Sequence, residues 1–136
     1  MALIVNILFL MIKVIKTSQA PKAIGPYSQA VKCGHALYVS GQIYIDPSTG
    51  ELIKGGVTEK VNRVMDNIKT ILESAGMGMN DIVKVTIFLT DMGAFPTVNK
   101  AYAAYFTEYF PARETVQVAK LPKDAEIEIS CIACKG

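Results

Sequence analysis

The spacing of apolar residues changes several times along this chain, and each change marks an element. Val57, Val61, Val64, Met65, Ile68, Ile71 and Leu72 recur at helical spacing and form one stripe. That pattern predicts a helix over 57–75, with Thr58 as its N-cap and Gly76 as its stop. Arg63 falls on the opposite face and reads as solvated. A second stripe of Phe95, Val98, Tyr102, Tyr105, Phe106 and Tyr109 predicts a helix from Phe95 to Tyr109, and it reads as core. Elsewhere the period drops to two or the run is continuously apolar. Residues 13–17 predict a short strand. Residues 27–46 predict two strands joined at Cys33-Gly34-His35, and "DPSTGEL" (46–52) predicts a turn. The β-branched run 81–91 predicts an interior strand covered on both sides. Residues 114–121 and 125–134 alternate on either side of a Leu-Pro-Lys-Asp turn and predict two closing strands.

The element order is therefore β-β-β-α-β-α-β-β, an α+β fold. Two amphipathic helices would cover one face of a mixed sheet of five or six strands. The other face would be solvated, polar or packed against a further subunit. Arg113, Thr115 and Gln117 share one side of their strand by alternation. Glu126, Glu128 and Ser130 share a side of the last strand, opposite Ile127, Ile129, Cys131 and Ala133. If a tight hairpin at Pro122-Lys123 joins these strands, Arg113 lies opposite Ile132 and Glu128 sits roughly 13 Å along. A site using both residues would then form between subunits.

Length and composition narrow the class. A chain of 136 residues makes one domain, assigned to 13–136. The preceding stretch, 1–12, is apolar from residue 2 except for Asn6 and has no assigned role. It falls short of the ~20 residues that span a bilayer, and it lacks both the basic start and the cleavage site of a signal peptide. No membrane association is expected. Net charge is only +2, which gives no electrostatic reason to expect a nucleic-acid partner. The three cysteines, an odd number, read as reduced thiols in a cytoplasmic protein. Cys131 and Cys134 form a C-x-x-C, but alternation sends them to opposite faces and no second cluster completes a metal site. They read as small buried hydrophobes.

Candidate chemistry is reached by elimination. There is no glycine-rich phosphate loop and no H-E-x-x-H, and the single histidine, His35, sits in a turn. Ser40 has no well-placed base and reads as a hydrogen-bonding residue rather than a nucleophile. No metal or cofactor is expected. What remains is an arginine: of 14 basic residues only Arg63 and Arg113 are not lysine. A guanidinium grips a carboxylate or phosphate with two parallel hydrogen bonds, which lysine cannot do. The alternative is an ordinary wet sheet face.

The chain resembles the Rid family, the YjgF-type reactive-intermediate deaminases. The stretches that carry the likeness are "APKAIGPYSQAV", "YVSGQI", "DPSTGEL", "DNIKTILESAG", "DIVKVTIFLTDM", "FPTVNKAY" and "PARETVQVAKLPKDAEIEI". The resemblance implies a chorismate-mutase-like fold assembled as a homotrimer, with active sites in clefts between subunits. It also implies hydrolysis of imines and enamines of 2-keto acids, such as 2-aminoacrylate, to the keto acid and ammonia. Residue by residue, Arg113 would hold the substrate carboxylate and Glu128 would orient the attacking water. Tyr27 would wall the cleft, Ser40 and Gly41 would lie beside it, and Asn99 would stand near the site. Thr115 would hydrogen-bond the ligand, and Ser130 stands where many relatives have a glutamate. A non-catalytic trimer that binds small carboxylates is one alternative. An endoribonuclease or translation inhibitor is another, and a chaperone-like surface a remote third.

Overall fold

The computed structural model describes residues 11–136, so nearly all of the apolar segment 1–12 lies outside the described residues. The elements are β1 (Ile12–Ile15), β2 (Ala30–Cys33), β3 (Ala36–Gln42), α1 (Val57–Ser74), β4 (Ile82–Leu89), α2 (Phe95–Ala103), β5 (Ala112–Gln117) and β6 (Ile127–Cys134). The strands form one mixed sheet in the order β1-β2-β3-β6-β4-β5. All neighbours are antiparallel except β4 and β5, which run parallel.

Helix α1 forms as its stripe dictates. Val61, Val64, Met65, Ile68, Ile71 and Leu72 are all buried against the sheet. Each such side chain contributes about 1.5–3 kcal/mol by leaving water. The helix stops at Gly76, whose φ of 75° is left-handed, with Met77 N–H donating to the Leu72 carbonyl. Its start differs from expectation. Gly56 is the N-cap and makes no side-chain bond, while Thr58 already lies inside the first turn. Arg63 is not simply solvated either. Its Nε donates to Asn67 Oδ1 at 3.2 Å, and the fully buried Asn67 donates to the Ile45 carbonyl at 2.9 Å, pinning the 43–45 segment onto the helix.

Helix α2 ends at Ala103, well before Tyr109. Tertiary bonds take over from there. The Tyr105 hydroxyl reaches Asp66 at 3.0 Å, and the Tyr109 hydroxyl donates to the carbonyls of Ile82 and Asn80. Phe110 precedes Pro111, which biases the chain toward extended backbone.

The expected β5–β6 hairpin does not exist. β4 lies between the two strands, and Arg113 is level with Val85 and, one strand further, with Cys131 rather than Ile132. A parallel pair needs a long crossover, and α2 supplies it. The link between β5 and β6 contains a 3-10 turn at Pro122–Asp124, with Lys123 and Asp124 at φ 57° and 55°, in place of a two-residue hairpin turn.

One face of the sheet packs on the helices. Val85, Ile87 and Leu89 of β4 meet Ile127, Ile129 and Cys131 of β6 there, all buried in one core with α1. Burial pushes the Cys131 thiol up to about 12, so it remains an inert SH. Cys134 is exposed on the other face, not buried as expected. That open face carries an apolar row formed by Val14, Val31, Tyr38 and Ile132, with Val14 59% and Tyr38 51% exposed. β4 is thus interior in strand order, but only one of its faces is covered within the chain.

β3 carries one surplus residue. Val39 pairs with Cys131 and Gln42 with Ile129, so Ser40 and Gly41 together oppose the single rung of Ser130, a β-bulge.

A candidate active site in two halves

Sheet geometry divides the predicted site residues into two groups. Arg113 and Thr115 project to the helix face, beside Val85 and Ile87. Glu128 projects to the open face, beside Phe88 and between the buried Ile127 and Ile129. Two strand spacings and three residues of rise put their Cα atoms roughly 14 Å apart. Their side chains diverge from there, so within one chain they cannot share a small ligand.

The first half is built on α2 and β5. Arg113 Cζ lies 5.0 Å from the centroid of the Tyr102 ring and 5.6 Å from that of Phe95. Both rings fall within cation–π range and restrain the fork. Arg113 makes no ion pair among the described residues. Around it is a shallow pocket of roughly 430 Å³, lined by Asn99, Tyr102, Ala103, Phe110, Pro111 and Arg113. Three polar atoms here are buried and make no hydrogen bond within the described chain: Asn99 Oδ1, Tyr102 OH and Thr115 Oγ1. Buried polar groups are nearly always paired, so two orphans lining the pocket with Arg113, and a third two residues along β5, mark a place for a polar ligand.

The second half is a cleft of roughly 320 Å³ in which Glu128 meets Tyr27, Ser40, Gly41, Lys22 and Pro122. Its wall is held by a buried amide. Gln29 accepts from Thr17 N–H at 2.7 Å and donates to the carbonyls of Thr17 and Pro21, tying down the loop that ends in Tyr27. Tyr27 is half exposed, and its hydroxyl accepts a weak bond from Ile24 N–H at 3.2 Å. The Ser40 hydroxyl donates to the Ser28 carbonyl at 2.6 Å, so it joins β3 to the Tyr27 loop. Burial raises the Glu128 carboxyl above the ordinary glutamate value, and no cation pairs with it among the described residues.

The missing side chain of Gly41 leaves room for the Glu128 carboxylate. A Cβ built there would stand 2.7 Å from Glu128 Cδ and 2.8 Å from Oε2, closer than real contacts allow. The obstructing atoms end a flexible side chain, so Gly41→Ala should fold normally while swinging the carboxylate aside. We expect a melting temperature near wild type; if the carboxylate takes part in a reaction, turnover should fall by at least about ten-fold, because a small misplacement of a reacting group is costly. Thermal melts beside a turnover assay check this, and unchanged turnover would show that the carboxylate position is immaterial.

The structure therefore brings Tyr27, Ser40, Gly41 and Glu128 together, and Asn99, Thr115 and Arg113 together, but does not join the groups. Sequence reasoning passed over Tyr102, Gln29 and Lys22. Tyr102 sat within a stripe read as core, and only its hydroxyl hinted otherwise. Among the described residues no cluster of His, Cys, Asp and Glu could hold a metal ion, and no helix is long and apolar enough to cross a membrane.

The sequence profile of the family described as Endoribonuclease L-PSP matches residues 17–135. The chain belongs to the Rid family. Its Rid relatives include a RutC family protein of Pyrococcus horikoshii, 54% identical over 123 residues, spanning 90% of this chain and 98% of that one. The 2-iminobutanoate/2-iminopropanoate deaminase of Homo sapiens is 48% identical over 124 residues, spanning 91% and 90% of the two chains. Among solved structures, the E. coli YjgF gene product superposes with a TM-score of 0.87 at 48% identity, over 91% of this chain and 99% of that one. E. coli TdcF with bound serine gives a TM-score of 0.87 at 42% identity, with the same coverage. The six-stranded mixed sheet with two helices is thus the Rid fold.

Proposed function

We propose that this Rid protein hydrolyses 2-imino and 2-enamine carboxylates, such as 2-aminoacrylate, to 2-keto acids and ammonia. Its sites would form where the Arg113 half of one subunit meets the Glu128 half of another in a homotrimer. The observation that carries this reading is the ring-held guanidinium of Arg113 on one face and the carboxyl of Glu128 on the other, neither ion-paired among the described residues. The apolar row on the open face is a surface that a second subunit would cover. The deaminase name of the human relative supports the reaction class.

The chemistry needs little machinery. A protonated imine is already electrophilic at carbon, so water requires position and modest base assistance rather than a strong nucleophile. Arg113 would hold the substrate carboxylate in a two-bond grip. Glu128 would accept a proton from water as its oxygen bonds to the imine carbon, giving a carbinolamine. Return of that proton to nitrogen makes ammonia a leaving group, and as the C–N bond breaks Glu128 takes the hydroxyl proton, leaving the 2-keto acid. An enamine first gains a proton from solvent at its terminal carbon to give the same protonated imine. Neither histidine nor cysteine takes part.

The raised Glu128 value has two consequences of defined sign. The folded chain holds this proton to higher pH than the unfolded chain does. That contribution to stability is complete below the unfolded value and is lost as pH rises through the folded one. Ionised Glu128 therefore opposes folding at neutral pH. Glu128→Gln should melt at or above wild type at pH 7, with the advantage gone at pH 4, and should be inactive at both. The acid limb of wild-type activity should lie above the ordinary glutamate range. Melts and a pH–rate profile test both signs, and a destabilised Gln variant at pH 7 would contradict them.

Generating 2-aminoacrylate in situ with a serine dehydratase, and trapping the survivor with semicarbazide, tests the reaction itself. Faster loss of imine in the presence of the protein is expected. No acceleration overturns the deaminase reading and favours a binder of small carboxylates.

A further inference from the structure

We infer that Tyr102 belongs to the ligand-binding machinery: its ring steadies the Arg113 fork, and its hydroxyl donates a further hydrogen bond to the same carboxylate. The inference rests on the carboxylate site proposed above and adds to it a residue drawn from the aromatic stripe. Tyr102 is 3% exposed, yet its hydroxyl has no hydrogen-bond partner within the described chain. Phenylalanine would fill the same space without burying an unpaired polar atom, so a purely structural role gives no reason for the oxygen.

Its surroundings indicate what the oxygen is for. The ring lies 5.0 Å from Arg113 Cζ and, with a tilted contact, 4.9 Å from the centroid of Phe106. Thr115, two residues beyond Arg113 on β5, carries a second orphan hydroxyl; the third orphan, Asn99 Oδ1 one helical turn earlier on α2, is an acceptor and no partner for a carboxylate. An ionised carboxylate offers about four lone-pair directions, and a bidentate arginine satisfies about two of them. The remaining directions call for neutral donors, which the Tyr102 and Thr115 hydroxyls are. Burial pushes the Tyr102 phenol up to about 12, against the opposing pull of Arg113, so it is a donor throughout the physiological range.

Direct titration of the full-length protein with 2-oxobutanoate tests this, using wild type, Arg113→Ala, Tyr102→Phe and Tyr102→Leu, with KM and kcat measured alongside on the imine. Tyr102→Phe should weaken binding about ten-fold and raise KM to match, the loss of one hydrogen bond to a charged group. Its kcat should stay within about two-fold, since the ring still holds the arginine. Tyr102→Leu should in addition lower kcat, because the fork is no longer steadied. Tyr102→Phe binding like wild type, while Arg113→Ala loses binding, overturns this inference and leaves the carboxylate site standing. Arg113→Ala binding like wild type, or no binding by wild type, brings down the site itself.

Discussion

Arg113→Lys should lower imine hydrolysis by about a hundred-fold or more, although it conserves the charge. Preorganised donors in such sites are worth that much when one is lost. The guanidinium here is set by two aromatic faces, 5.0 and 5.6 Å from Cζ, against which a planar group stacks and an ammonium does not. A lysine would bring one point charge to a carboxylate that needs a planar fork. Arg113 is only half buried and has no ion pair among the described residues, so the fold should tolerate the change. A circular-dichroism melt near wild type, together with the fall in turnover, would place the effect in the site. Near-normal turnover would remove Arg113 from it.

Two inactive variants should restore each other. Arg113→Ala and Glu128→Ala damage opposite faces of the sheet, and a site between subunits takes one residue from each of two chains. After the variants are mixed, unfolded and refolded together, about one quarter of random subunit junctions would hold an intact arginine facing an intact glutamate. Activity should therefore rise from almost nothing to about a quarter of wild type, a gain that neither variant shows alone. A site contained in one chain would gain nothing from mixing, and a silent mixture of confirmed mixed oligomers would exclude the shared arrangement.

Much of the fold could be read from periodicity because it depends on local pattern. α1 announces itself through an apolar stripe that ends at Gly76, and β6 through the alternation of Ile127, Ile129, Cys131 and Ala133. The pairing of β5 could not be read this way. Strands adjacent in sequence often pair, and nothing local to Ala112–Gln117 says that β4 will intervene. A β5–β6 pair with Arg113 opposite Ile132 would set the arginine on the Glu128 side of the sheet, whereas pairing with β4 sets it on the helix side, level with Cys131. The length of α2 was lost for a related reason: Tyr105 and Tyr109 keep helical spacing, but their hydroxyls find partners on α1 and at the start of β4. Within the site, alternation placed Arg113 with Thr115 correctly. The role proposed for Tyr102 was invisible, because a buried tyrosine and a buried phenylalanine make the same pattern until the partners of the oxygen are counted.

The surplus residue of β3 has a consequence for how such a cleft can arise. Ser40 and Gly41 share one rung opposite Ser130, and the extra residue lets Val39 and Gln42, three apart, both face inward where unbroken alternation would put them on opposite faces. The bulge is a local detour absorbed without disturbing the strands downstream, and it is where a backbone stripped of its Cβ lies against Glu128. A functional surface acquired in this way is modular: the bulge can be reshaped, and the reach of the carboxylate retuned, while the core beneath it is left as it was.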